Sequence, residues 1–124
     1  MKNVVITGST RGIGFAMAKE FLKAGCSVTL SGRGESLPEA VQTELKPFEG
    51  KYIYIRCNVQ DKASLQNLWD ASLDRWGSVD IWINNAGQNA PHKFSWETGG
   101  SYTENVIRTN ILGVIYGSQV AAAG

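Results

Sequence analysis

The sequence predicts an α/β fold with a doubly wound parallel sheet, on three observations. Short apolar runs rich in β-branched residues alternate with stretches of helical periodicity. Two of those runs are apolar on both faces, as strands covered by helices on both sides must be. A glycine cluster, Gly8, Gly12 and Gly14, falls between the first apolar run and the first helical stretch. The expected order is β-α-β-α-β-α-β-α, four strands and four helices.

Strands are expected over Val4–Thr7, Ser27–Ser31, Tyr52–Arg56 and Asp80–Asn84. The first helix should start at Gly12 or Ile13, stack Ile13, Met17 and Phe21 at intervals of four, and stop at Gly25. In the second, Ser36 precedes Glu39 by three residues in a capping-box arrangement, Leu37, Val41 and Leu45 share one side, and the helix ends before Pro47. The third puts Leu65, Leu68, Trp69, Ser72, Leu73 and Trp76 on one stripe and is closed by Gly77. The last runs from about Ser101, with Ile107, Ile111 and Ile115 in register. Between the fourth strand and this helix, Gln88 to Gly100 forms a loop of about a dozen residues, long enough to suggest a functional role.

Composition narrows the function. Twelve Lys plus Arg against 11 Asp plus Glu leave a net charge of +1 in 124 residues, and no dense basic stripe, which argues against nucleic acid as a partner. The apolar runs are far short of a membrane span, and Met1-Lys2-Asn3 leads into no signal-peptide core, so a cytoplasmic protein is expected. Cys26 and Cys57 are too few and too separated for a disulfide framework or a zinc site, and no metal is expected.

The chemistry concentrates at Thr7-Gly8-Ser9-Thr10-Arg11-Gly12-Ile13-Gly14, between strand and helix. A helix N-terminus offers unpaired N–H groups and positive partial charge, and glycines let oxygen atoms approach the backbone, so a diphosphate belongs here. An acidic residue at the end of the second strand would accept hydrogen bonds from a ribose 2′-hydroxyl. The strand instead ends Leu30-Ser31-Gly32-Arg33. Arg33, with Arg11 nearby, suits a phosphate monoester, which favours NADP(H) over NAD(H).

Thr7-Gly8-x-x-x-Gly12-x-Gly14, Asn84-Asn85-Ala86-Gly87 after the fourth strand and Asn110 in the following helix together resemble the cofactor-binding half of the short-chain dehydrogenase/reductase family. The resemblance covers essentially the whole chain. Within that family, the stretch Asp80 to Gly87 is similar to plant-type chlorophyll b reductases. The resemblance implies a Rossmann-type sheet of strand order 3-2-1-4. It also implies cofactor contacts through Gly8, Ser9, Thr10, Arg11, Gly12, Ile13, Gly14, Arg33, Asn58, Val59, Asn85, Ala86 and Gly87. Asn110 would anchor a water in the proton relay, the one catalytic position expected here.

Two departures qualify the transfer. The family usually carries Asp-Val after the third strand, and this chain has Asn58-Val59, which keeps an acceptor and a donor but loses the charge. The family's catalytic Ser and Tyr-x-x-x-Lys do not occur within these 124 residues, and none of Tyr52, Tyr54, Tyr102 and Tyr116 has a lysine four places on. That pair matters because the alkoxide left by hydride transfer must be protonated, and tyrosine does so near neutrality only beside an ammonium. His92, the only histidine, is expected in solvent.

The expected protein is thus a single NADP(H)-binding domain over 1–124, the N-terminal part of a reductase acting on carbonyl or alcohol substrates, truncated before its acid. The alternatives are a dinucleotide-binding module or sensor without chemistry of its own, and a structural domain with an empty site. With its fourth strand at an edge, a homo-oligomer is expected.

Overall fold

β1 (Asn3–Ile6) lies inside a four-stranded parallel sheet in the computed structural model, which describes residues 2–86 and 113–123. The remaining elements are α1 (Gly12–Lys23), β2 (Ser27–Gly32), α2 (Glu39–Leu45), β3 (Tyr52–Arg56), α3 (Lys62–Trp76), β4 (Ile81–Ile83) and α4 (Gly113–Ala123). The order is β3-β2-β1-β4, as the family resemblance implies. Val4 stands opposite Val28 on one side and Ile81 on the other, and Gly32 opposite Arg56 at the far end.

Alternation along β1 and β2 divides the core. Val4, Ile6, Val28 and Leu30 face one way and pack under Ala18 and Leu22 of α1 and Val41 and Leu45 of α2. Val5 faces the other way, toward Leu65 and Leu68 of α3 and Val120 of α4, with Trp69 and Trp82 at its margin. Both faces of β1 are therefore dry, and its three apolar side chains are at most 1% exposed. Burial of this kind stabilises by about 1.5–3 kcal/mol per side chain. The polar groups on the second face are satisfied: Trp76 Nε1 donates to Thr29 Oγ1 at 3.0 Å, and Ser31 Oγ donates to the Ile6 carbonyl at 3.1 Å.

Several boundaries and faces differ from expectation, each for a physical reason. The last paired residue of β1 is Ile6, and the Thr7 N–H still donates to the Ile83 carbonyl at 3.0 Å while its hydroxyl turns to the residues after β4. β4 starts at Ile81, after Asp80, whose carboxylate accepts from the Asn3 N–H at 2.8 Å. The capping box at Ser36 does not form: Pro38 is the N-cap residue, and a proline there disfavours helical backbone at Leu37. On α1 the buried stripe is Gly14, Ala18 and Leu22, one residue on from the expected one, and Ile13 is 75% exposed. Small residues at 14 and 18 let the helix lie close to the sheet, which turns Ile13 outward. Leu73 is likewise exposed, beyond the width of the buried face of α3. Asp61 caps α3 by accepting from the Ala63 N–H, and Gly77 ends it in the left-handed conformation as expected. The loop 88–100 and the first part of the last helix lie outside the described residues.

Cys26 and Cys57 are both free thiols. Parallel register places Cys57 one step past the Gly32–Arg56 pair, about seven residues further along the sheet than Cys26. At ~3.3 Å per residue that is roughly 20 Å, well beyond a bridge.

Candidate functional site

The carboxyl ends of β1, β2 and β3 converge on one edge, where the glycine turn and two connecting loops meet. Open parallel sheets bind ligands at this edge, where the chain order reverses. Between β1 and α1, Gly8 has a φ of 62° and Gly12 a φ of 61°, backbone that L side chains rarely adopt. A methyl group on Gly8 would sit 2.6 Å from the Cα of Ala86. One on Gly14 would collide with the Asn85 amide and the Gly8 carbonyl. One on Gly12 would meet nothing within 4 Å, so the space in front of the first turn of α1 is open. First-turn amides have no intrahelical partner, and here they face that space with the positive end of the helix behind them. The cradle fits a diphosphate.

Thr7 ties the turn to the segment after β4. Its Oγ1 accepts from the backbone N–H of Asn85 at 2.9 Å and of Ala86 at 3.0 Å, while Asn85 Nδ2 donates to the Gly8 carbonyl at 3.0 Å. Asn84 accepts from Trp82 Nε1 and donates to Ser118 Oγ, joining the same segment to α4. Gly117 packs directly on the Asn84 side chain. Thr7 was read from the sequence only as part of a motif, and the structure makes it the residue that joins the two motifs.

Ser9 plays an internal part. It is fully buried, its Oγ donates to the Ile6 carbonyl at 2.9 Å and accepts from the Ser31 N–H at 3.0 Å, and its own N–H bonds the Ser31 carbonyl. Its hydroxyl holds β1 to β2 rather than facing the open edge. Thr10 is half-buried beside Gly32, while Arg11 and Ile13 stand exposed at the start of α1.

A cleft of about 310 Å³ opens at the ends of β2 and β3, lined by Arg33, Arg56, Cys57, Asn58 and Gln60. Two arginines line it, and among the described residues no acidic one does. Arg11, expected near Arg33, is not among these residues, and Arg56, which the sequence reading passed over, takes the second position. The pairing of Gly32 with Arg56 in the sheet brings it there, and no local feature of the sequence marks it. Asn58 Oδ1 accepts from the Gln60 N–H at 3.0 Å, so its acceptor shapes the turn, and Val59 is buried in the second core and does not line the cleft. Burial pushes the Cys57 thiol above its ordinary range, against a Ser64 hydrogen bond that lowers it. Burial likewise raises Tyr54, with Arg56 opposing, so the Tyr54 hydroxyl remains a donor through neutral pH. Gly87, His92, Tyr102 and Asn110 lie outside the described residues.

Comparison with known proteins agrees with this fold. Residues 2–123 match the family model described as short chain dehydrogenase. The chlorophyll(ide) b reductase NOL, chloroplastic, of Oryza sativa subsp. japonica is 44% identical over 116 residues, covering 91% of this chain and 34% of the relative. Among solved structures, ElxO with NADP bound superposes with a TM-score of 0.88 at 28% identity, over 98% of this chain and 49% of that one. A short-chain dehydrogenase/reductase from Burkholderia phymatum in complex with NAD gives 0.87 at 32% identity, over 98% and 43%. The chain thus spans about a third of the length of that reductase and under half of those two solved chains. The expectation of a cytoplasmic protein is overturned, because the plant reductases it resembles are chloroplastic. An α/β core carries no address, and compartment cannot be read from its surface.

Proposed function

Because the chain belongs to the short-chain dehydrogenase family over nearly its whole length, we propose that residues 1–124 form the NADP(H)-binding domain of an oxidoreductase acting on carbonyl or alcohol substrates. The observation that carries the choice of cofactor is the cleft beside β2, lined by Arg33 and Arg56 and by no acidic residue among the described ones. The glycine turn would hold the diphosphate against the first turn of α1, and Arg33 would meet the 2′-phosphate. Asn58 and the Val59 backbone would border the adenine, and exposed Ile13 would line the path toward the nicotinamide. Asn85, Ala86 and Gly87 would brace the turn from behind. Bound NADP(H) supplies or accepts the hydride. Asn110 would hold a water of the proton relay, and these 124 residues contain no Tyr-x-x-x-Lys to serve as the acid. Similarity to proteins named chlorophyll(ide) b reductases supports a reductase.

The test is a paired titration of the 124-residue chain. NADPH should bind at least about tenfold more tightly than NADH, since a charge-assisted contact to phosphate contributes ~1.5–3 kcal/mol and ~1.4 kcal/mol is tenfold. Arg33→Asp should erase or reverse the difference, and equal affinities in the unmodified chain would end the assignment. The same chain should bind NADPH without reducing ketones. Turnover by it would reveal an acid within these residues and refute the division of roles.

Assembly is proposed on a separate observation. Ile81, Trp82 and Ile83 of β4 are only half-buried, and β4 is an edge of the sheet among the described residues. Such an edge favours pairing with a second copy. Sedimentation at tens of micromolar should show self-association, and a monodisperse monomer would overturn it.

A further inference from the structure

β3 does more at the cleft than contribute a strand. Tyr54 and Arg56, two residues apart on it, both reach across to the loop after β2. The Tyr54 hydroxyl donates to the Gly34 carbonyl at 2.5 Å, and Arg56 Nε donates to the Arg33 carbonyl at 3.1 Å. Two consecutive carbonyls of the loop that carries Arg33 are thus held by side chains of one neighbouring strand. The reach depends on Gly32: a Cβ there would lie 3.3 Å from the Tyr54 hydroxyl and 2.9 Å from Thr10 Cγ2. The space where an acidic side chain would stand is already occupied by Tyr54 and Thr10. Arg56 also lines the cleft, so it brings a second positive charge next to the first.

We propose that Tyr54 and Arg56 set the preference for a 2′-phosphorylated nucleotide: Tyr54 as a positioning residue that holds the Arg33 loop, Arg56 as both a holder of that loop and a second cation for the phosphate. This rests on the NADP(H) reading above. An arginine fork contacts a phosphate well only when its backbone is fixed, because its own side chain is long and flexible. Two side-chain hydrogen bonds to successive carbonyls supply that fixation.

NADPH and NADH affinities of the 124-residue chain, followed by nucleotide fluorescence, test the proposal. Arg56→Gln should weaken NADPH about tenfold and leave NADH within about twofold, and Arg56→Lys, which keeps the charge and loses the planar Nε donor, should fall between. Tyr54→Phe should weaken NADPH about three- to fivefold with NADH unchanged, and should add nothing in an Arg33→Ala background, because it acts through that loop. Arg56 is exposed and Tyr54→Phe removes one hydroxyl, so both variants should melt within a few degrees of the unmodified chain. A preserved NADPH preference in Arg56→Gln, an equal loss for both nucleotides, or a Tyr54→Phe effect that persists without Arg33 would overturn this role while leaving the cofactor assignment standing. Equal affinities in the unmodified chain would overturn both.

Discussion

Thr7→Val is expected to cost about 2–3 kcal/mol of folding stability and to weaken nucleotide binding with it. The hydroxyl is almost wholly buried and accepts two backbone N–H groups, those of Asn85 and Ala86. Valine has the same shape and no acceptor, so both donors lose their partner, and an unsatisfied donor costs about 1–3 kcal/mol when buried. The two amides are only half-buried, which places the sum at the lower end. Thr7→Ser keeps the oxygen and should lose about 1 kcal/mol, the contribution of one buried methyl. Urea unfolding of the three proteins checks this, and a valine variant within about 0.5 kcal/mol of the serine variant, a margin of roughly half of one hydrogen bond, would show that the two amides do not depend on Thr7.

Gly8→Ala should cost more, about 3–4 kcal/mol. The left-handed backbone at φ 62° costs a non-glycine residue roughly 1–2 kcal/mol. The new methyl meets the Ala86 backbone at 2.6 Å, which the segment after β4 can relieve only by moving away from the turn, an overpacking cost of about 1–3 kcal/mol. Gly12→Ala separates the two contributions. Its φ is nearly the same and its surroundings are open, so stability should fall by only about 1–2 kcal/mol. Its methyl enters the space proposed for the diphosphate, so nucleotide affinity should fall far more than stability does. Similar unfolding free energies for the two alanine variants would show that the contact with Ala86 carries no strain.

The glycine turn was legible in the sequence because its requirements are local. Gly8, Gly12 and Gly14 between a β-branched run and a helical one demand a tight turn whatever the rest of the chain does. Arg33 was legible for a similar reason, as the residue directly after a strand that ends without an acid. Arg56 was not, because it sits at the end of a different strand, 23 positions along the chain from Arg33, and only the pairing of β2 with β3 brings the two together. Ile13 stacks with Met17 and Phe21 by period and yet stands exposed, because helical periodicity defines a stripe but not which of two adjacent stripes meets the sheet. That choice followed from the close approach of Gly14 to Gly8 and Asn85. Ser36 followed the capping-box pattern, and Pro38 prevented the helix from starting there.

By itself, the sequence determined the alternation of strands and helices, the glycine turn ahead of α1, the left-handed stop at Gly77 and the lack of an acid after β2, all of them consequences of period, residue size and backbone freedom within a few residues. The tertiary structure alone decided which side of α1 is buried, that the Ser9 hydroxyl serves the β1–β2 contact, that Thr7 joins two distant motifs, and that Tyr54 and Arg56 reach the loop bearing Arg33. The physical reason is distance along the chain: a hydrogen bond between residues 20 to 79 positions apart depends on strand order and register, and those are settled only when the apolar faces of β1 and β2 are buried between two layers of helices.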